Sequence, residues 1–142
     1  MTYEISRDPS RLDLDLIHRF LSEEAYWSPG VPREVVERAV ANSLCFAAYT
    51  SEGAQVAFAR LVTDRATFAY LSDVFVLAPH RGKGISKLLM TAIVADPELR
   101  GMRRWMLATR DAHALYAQFG FKPLANPPRF MERHDPDVYA KQ

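Results

Sequence analysis

The sequence predicts a mixed α/β (α+β) fold: a mostly antiparallel sheet of about six to seven strands with helices on both faces. Three observations predict it. Three strand-like runs between Leu44 and Leu77 are joined by short turn signals, as in an antiparallel meander. Apolar residues recur at helical spacing on either side of that meander. A strand, a glycine-rich turn and a helix then follow one another from Asp73 onward, so one connection can cross over between parallel strands.

Taken in order, Tyr3-Glu4-Ile5 is a short opening strand. Asp8-Pro9-Ser10 is a helix start, since Asp or Ser can cap and Pro fits the first turn. Leu12, Leu16, Ile17, Phe20 and Leu21 mark one helical face, with Asp15 and Arg19 spaced as an (i, i+4) pair. Tyr26-Trp27-Ser28-Pro29-Gly30-Val31-Pro32 breaks that pattern and is a loop. Pro32 opens a second helix with Val35, Val36, Ala39 and Val40 on its buried side and Asn42 near its end. The three meander strands are Leu44 to Tyr49, Gln55 to Thr63 and Thr67 to Leu77. The helix after Gly84 ends near Asp96-Pro97, because Pro disfavours a helical residue before it. Arg104 to Ala108 is a strand parallel to the one ending at Leu77, and Asp111 to Phe119 is a short helix closed by Gly120. Phe121 to Ala125 and Arg129 to Glu132 read as two last strands, and the polar stretch from His134 is expected to fray.

The 142 residues fit one domain, 1–142, with no repeat, linker or low-complexity tract. A composition of 49% hydrophobic and 25% charged residues is that of a soluble globular chain. The net charge of +1 argues against nucleic acid or a membrane surface as the partner. No apolar run approaches a membrane span, and Met1 to Asp8 does not resemble a signal peptide. Cys45, alone and inside an apolar run, reads as a buried structural thiol in a cytoplasmic protein. The four histidines have no metal-ligand spacing, so no metal is expected.

The informative stretch is Asp73 to Met90. Arg81, Gly82, Lys83 and Gly84 lie between an apolar strand and the helical face Ile85, Leu88, Leu89, Ala92 and Ile93. Glycines allow close backbone approach, a helix N-terminus favours an anion, and two cations add full charge. The turn therefore reads as a diphosphate cradle. It is not a P-loop, having no glycine separated from Gly82 by four preceding residues and no Ser or Thr after Lys83. Nor is it a dinucleotide fingerprint, because Lys87 stands where the third glycine belongs.

Arg81-Gly82-Lys83-Gly84-Ile85-Ser86 instead matches [RQ]-x-x-G-x-[GA] apart from its final Ser86. With Thr109-Arg110-Asp111-Ala112-His113-Ala114-Leu115-Tyr116-Ala117-Gln118-Phe119-Gly120-Phe121, similar to Asn-x-x-Ala-x-x-x-Tyr-x-x-x-Gly-Phe, it resembles the GNAT N-acetyltransferase superfamily. The element order agrees along the chain. The departures are Ser86, still small and able to donate a hydrogen bond, and Thr109, which lacks the amide of Asn. The resemblance implies the acyl-CoA N-acyltransferase-like fold, acetyl-CoA as cosubstrate and a small amine acceptor. It also implies contacts of the pantetheine arm with the backbone of Phe75 and Val76 and with Thr109. The pyrophosphate would lie on Arg81, Gly82, Lys83, Gly84, Ile85 and Ser86. Dimers are frequent in the family, so a homodimer is among the expected states.

Acetyl transfer to an amine needs a base, a donor to the thioester oxygen and a proton for the leaving thiolate. Tyr116 is the expected proton donor, by family position and because a phenol is a suitable acid. Asp73, opening the central strand segment, is the candidate base, with Glu23, Glu24 or a water relay as alternatives. Tyr26 and Trp27 are candidates for the acceptor pocket, and Arg33 or Arg110 for an acceptor carboxylate. Two rival readings stay open: a non-catalytic acyl-CoA-binding or sensing domain, and acetylation of a protein N-terminus or lysine.

Overall fold

The structure, a computed structural model, describes residues 2–141. Five strands form one sheet in the order β1-β2-β3-β4-β5: β1 (Tyr3–Ser6), β2 (Leu44–Thr50), β3 (Gln55–Thr63), β4 (Phe68–Val76) and β5 (Arg104–Leu107). All neighbours are antiparallel except β4 and β5, which are joined through α3 (Ile85–Ala95). The expected meander and crossover are both present.

Each face of the sheet carries an apolar layer. Leu44, Phe46 and Ala48 of β2 point to one face, where Ile85, Leu89 and Ile93 of α3 and Tyr116 of α4 (His113–Ala117) pack. Cys45, Phe58 and Phe75 point to the other, under α1 (Leu14–Arg19) and α2 (Arg33–Ala41). Burial on both faces explains why β2 reads as a continuous apolar run rather than an alternating one.

The N-terminal helix differs from its sequence pattern. Asp8, Pro9 and Ser10 make a separate 3-10 turn (Pro9–Arg11), with Asp8 accepting from the Ser10 N–H at 3.0 Å. α1 starts only after Asp13, which accepts from the Leu16 N–H at 3.1 Å, while its own N–H donates to Gln55 Oε1 at 2.8 Å. Asp15 pairs with Arg33 rather than with Arg19. The helix then widens into a π-turn, Phe20–Glu24, closed by the Ala25 N–H on the Phe20 carbonyl at 2.9 Å. The widening seats Phe20 on Phe75, with rings stacked 4.0 Å apart.

The two expected C-terminal strands do not form. The Phe121 N–H donates to the Tyr116 carbonyl, and Pro123, Pro127 and Pro128 have no N–H to give to a ladder. Pro127–Arg129 is a 3-10 turn, and Phe130 lies under the Arg104 guanidinium at 4.8 Å. The sheet therefore has five strands rather than six or seven. The tail is also more ordered than its polarity suggested: Val138–Lys141 is a 3-10 turn, and Tyr139 packs on the layer beneath α2.

Candidate active site

The site begins where β4 and β5 part. β5 pairs only with Phe68–Leu71, leaving the rest of β4 with a free side. At that point the β3–β4 register shifts from Phe58↔Phe75 to Arg60↔Ser72, so Asp73 and Val74 together face Ala59. This is a β-bulge, and Asp73 holds the left-handed φ of +52° that the extra residue requires. Bulges re-aim the side chains beside them, and this one turns β4 away from β5.

The bulge also decides which backbone groups face the gap. The Leu77 N–H donates to the Val56 carbonyl at 2.9 Å, in the same ladder as the Phe58–Phe75 pair. By strand alternation the backbone of Phe75 faces β3, whereas Val74 and Val76 face the gap. Phe75 is therefore placed differently from its expected role, as a core residue stacked on Phe20. Val74 is the position that a count from an unbulged strand misses. The Val76 carbonyl accepts from Arg81 Nε at 2.9 Å.

Beyond Val76 the chain makes a 3-10 turn, Ala78–His80, then the glycine turn. Gly82 and Gly84 take φ of +77° and +80°, values that disfavour any residue with a Cβ, and the space their Cβ would fill is empty. No side chain caps α3, so the N–H groups of its first turn keep their donors. Arg81, Gly82, Gly84, Ile85, Ser86 and Lys87 line a groove there, together with Val76 and Leu115. Lys83 is exposed beside the groove and does not line it.

A second hollow, about 380 Å³, lies on the other side of the bulge. Its wall is the loop after the π-turn, pinned by Ser28 Oγ on the Leu21 carbonyl (2.8 Å) and by the Gly30 N–H on the Ser22 carbonyl (2.9 Å). His18 Nε2 lies 3.0 Å from the Val31 carbonyl. The pinned loop presents Tyr26 and Trp27, 51% and 42% exposed, edge to face at 5.1 Å. Trp27 Nε1 donates to one oxygen of Asp73 at 2.8 Å, and Arg60 Nε donates to the other at 2.8 Å. Arg110 stacks on the Tyr26 ring at 3.9 Å.

Tyr116 enters this chamber from α4. It is 8% exposed, and its hydroxyl has no hydrogen-bond partner among the described residues. Burial, with a smaller contribution from Tyr26, raises its pKa above the ordinary phenol value, so it is a protonated donor at neutral pH. Thr109 Oγ1 accepts from the Ala112 N–H at 3.0 Å and so caps the α4 turn, while its residue also lines the chamber.

The structure thus brings Tyr26, Trp27, Asp73, Thr109 and Tyr116 to one chamber and Arg81 to Ser86, Lys83 apart, to the adjoining groove. The two meet through Val74 and Val76 of β4 and Leu115 and Tyr116 of α4. Arg33 lines neither; it is held on the surface by Asp15 and by Glu37, at 2.9 Å. Glu23 and Glu24 are exposed and line neither hollow. Cys45 is buried, and burial pushes its thiol pKa up to about 12, which suits a structural thiol and not a nucleophile. Among the described residues no group of His, Cys, Asp and Glu is arranged to hold a metal, and no helix is long and apolar enough to cross a membrane.

Comparisons with known proteins agree with this geometry. A family model described as acetyltransferase (GNAT) domain matches residues 41–123, more than half of the chain. A putative acetyltransferase of Gibberella zeae is 31% identical over 82% of this chain and 76% of its own length. The crystal structure of a putative GNAT-family acetyltransferase from Xanthomonas campestris pv. campestris is 51% identical. It covers 99% of this chain and 98% of its own, with a TM-score of 0.95. Glucosamine-6-phosphate N-acetyltransferase from Arabidopsis thaliana, 14% identical, shares the fold at a TM-score of 0.65 over 94% of this chain and 99% of its own. Motif, bulged sheet and relatives converge: the chain belongs to the GNAT acetyltransferase family.

Proposed function

We propose that this protein transfers the acetyl group of acetyl-CoA to a primary amine of a small acceptor by direct attack. The groove fits the cosubstrate's charge: uncapped N–H groups of α3, two open glycines, Arg81 and Lys87 favour a diphosphate. The free side of β4 suits an amide-bearing arm lying along Val74 and Val76 as an extra strand does. Acetyl-CoA would supply the thioester, and a β4 N–H on the unpaired side of the strand would donate to its carbonyl oxygen as that gains charge.

The observation that carries the reading is the Tyr116 hydroxyl. The ring is buried while the hydroxyl, without a protein partner, is free to donate into the chamber, one residue along α4 from the groove's Leu115. Its role is to donate a proton to the departing thiolate. Asp73 spends one lone pair of each oxygen on Trp27 and Arg60. We therefore assign it the placing of the chamber wall and attraction of the acceptor ammonium, with water at the open mouth taking the amine proton. This replaces its expected part as general base.

The experiment is thiol release from acetyl-CoA against an amine panel, alongside acetyl-CoA binding. Amine-dependent release that falls roughly a hundredfold in Tyr116→Phe, with acetyl-CoA Kd unchanged, supports the reading. Binding of acetyl-CoA without turnover of any amine or peptide would instead indicate an acyl-CoA sensor.

A further inference from the structure

Resting on the acetyl-transfer reading, we infer that the acceptor is an alkyl or aralkyl amine carrying no anionic group, and not an amino acid or a phosphorylated amino sugar. The chamber is lined by four aromatic side chains, Tyr26, Trp27, Tyr70 and Tyr116, and by two carboxylates, Asp73 and Asp111. No Lys, Arg or His is among the described residues that line it. Ring faces and carboxylates both attract an ammonium. Neither offers anything to a carboxylate or a phosphate.

Two guanidinium groups stand nearby, outside the lining. Arg60 stands behind Asp73 with three of its five N–H groups engaged: Nε to Asp73, Nη1 to Ser43 Oγ at 3.1 Å and Nη2 to Ser72 Oγ at 3.4 Å. Arg110 is stacked on the Tyr26 ring and does not line the chamber. Asp111, by contrast, forms no ion pair among the described residues, so its charge acts on whatever enters. Of the lining charges, Asp73 is balanced by Arg60 and Asp111 has no ion pair among the described residues, so an anionic acceptor meets a net negative wall unless it reaches Arg110 outside the lining. A second ammonium would meet attraction instead.

Matched pairs test this: tyramine against tyrosine, cadaverine against lysine, and glucosamine against glucosamine 6-phosphate, each scored by kcat/KM for thiol release. The member without the anion should be preferred at least about tenfold, a single charge interaction in a partly solvated site. Asp111→Asn should narrow the preference with acetyl-CoA Kd unchanged, and Arg110→Ala should leave the ratio as it is. Equal use of both members or preference for the anionic one overturns the inference, while turnover of none overturns the acetyl-transfer reading and the inference with it. Collapse of the ratio in Arg110→Ala overturns the inference as well. The acetyl-transfer reading fails separately, by loss of acetyl-CoA binding or by full activity of Tyr116→Phe.

Discussion

The glycine-turn groove and the aromatic chamber adjoin each other but are built in opposite ways. The groove comes almost entirely from consecutive residues, His80 to Lys87, whose local backbone supplies the shape. The chamber needs the loop at Tyr26 and Trp27, the bulge at Asp73, the end of β5 and Tyr116 of α4, brought together only by the tertiary fold. The difference teaches that binding of the donor can survive damage that ruins the chamber, whereas acceptor recognition depends on contacts far apart in sequence, such as Trp27 to Asp73.

The largest effect should come from Tyr116, which lines the chamber next to the groove's Leu115. Tyr116→Phe is expected to lower kcat about a hundredfold while leaving the acetyl-CoA Kd within roughly twofold. Asp73→Asn comes next, in stability. It leaves the part-buried Arg60 without its charge partner, at a cost of about 2 kcal/mol by chemical denaturation, while the acidic limb of the kcat/KM pH profile persists. Loss of that limb with stability intact would return Asp73 to the part of general base. Gly84→Val forces a branched residue to φ +80° at the start of α3. The acetyl-CoA Kd should rise about tenfold by titration calorimetry, with the amine KM unchanged.

Two smaller effects mark the edges of the comparison. Cys45, its pKa raised to about 12 by burial, should react with iodoacetamide at pH 8 roughly a thousandfold more slowly than a free thiol. The sign is that of a raised acid: the thiol stays protonated through neutral pH and ionises only as pH climbs toward the folded value. Arg33→Ala should change neither KM nor acetyl-CoA affinity, since its partners are the surface carboxylates Asp15 and Glu37.

What could be read beforehand follows the same division. The meander, the crossover and the glycine turn are local patterns, and each is where the sequence pointed. Asp73 and Tyr116 were picked out, but not the bulge that makes Val74 face the gap in place of Phe75, because a bulge is a register event between two strands. An aspartate in the middle of an apolar strand was the one available hint. Arg33 could not be placed, since its ion pair with Asp15 joins two helices. Phe121 to Ala125 carries strand-forming residues, yet the Tyr116 carbonyl takes the first N–H and the prolines withhold others. Tyr139 looked like part of a polar tail, although its ring finds the layer under α2.

On this division of labour acetyl-CoA is held by the groove and the acceptor by the chamber wall. Trp27→Ala tests it most directly, because the variant removes a ring and frees one oxygen of Asp73 without touching the glycine turn. Acetyl-CoA Kd and amine KM are measured on the same preparation. The expected result is an unchanged Kd and a KM raised about tenfold, in line with loss of an aromatic cation site. A weakened Kd with an unchanged KM would contradict it.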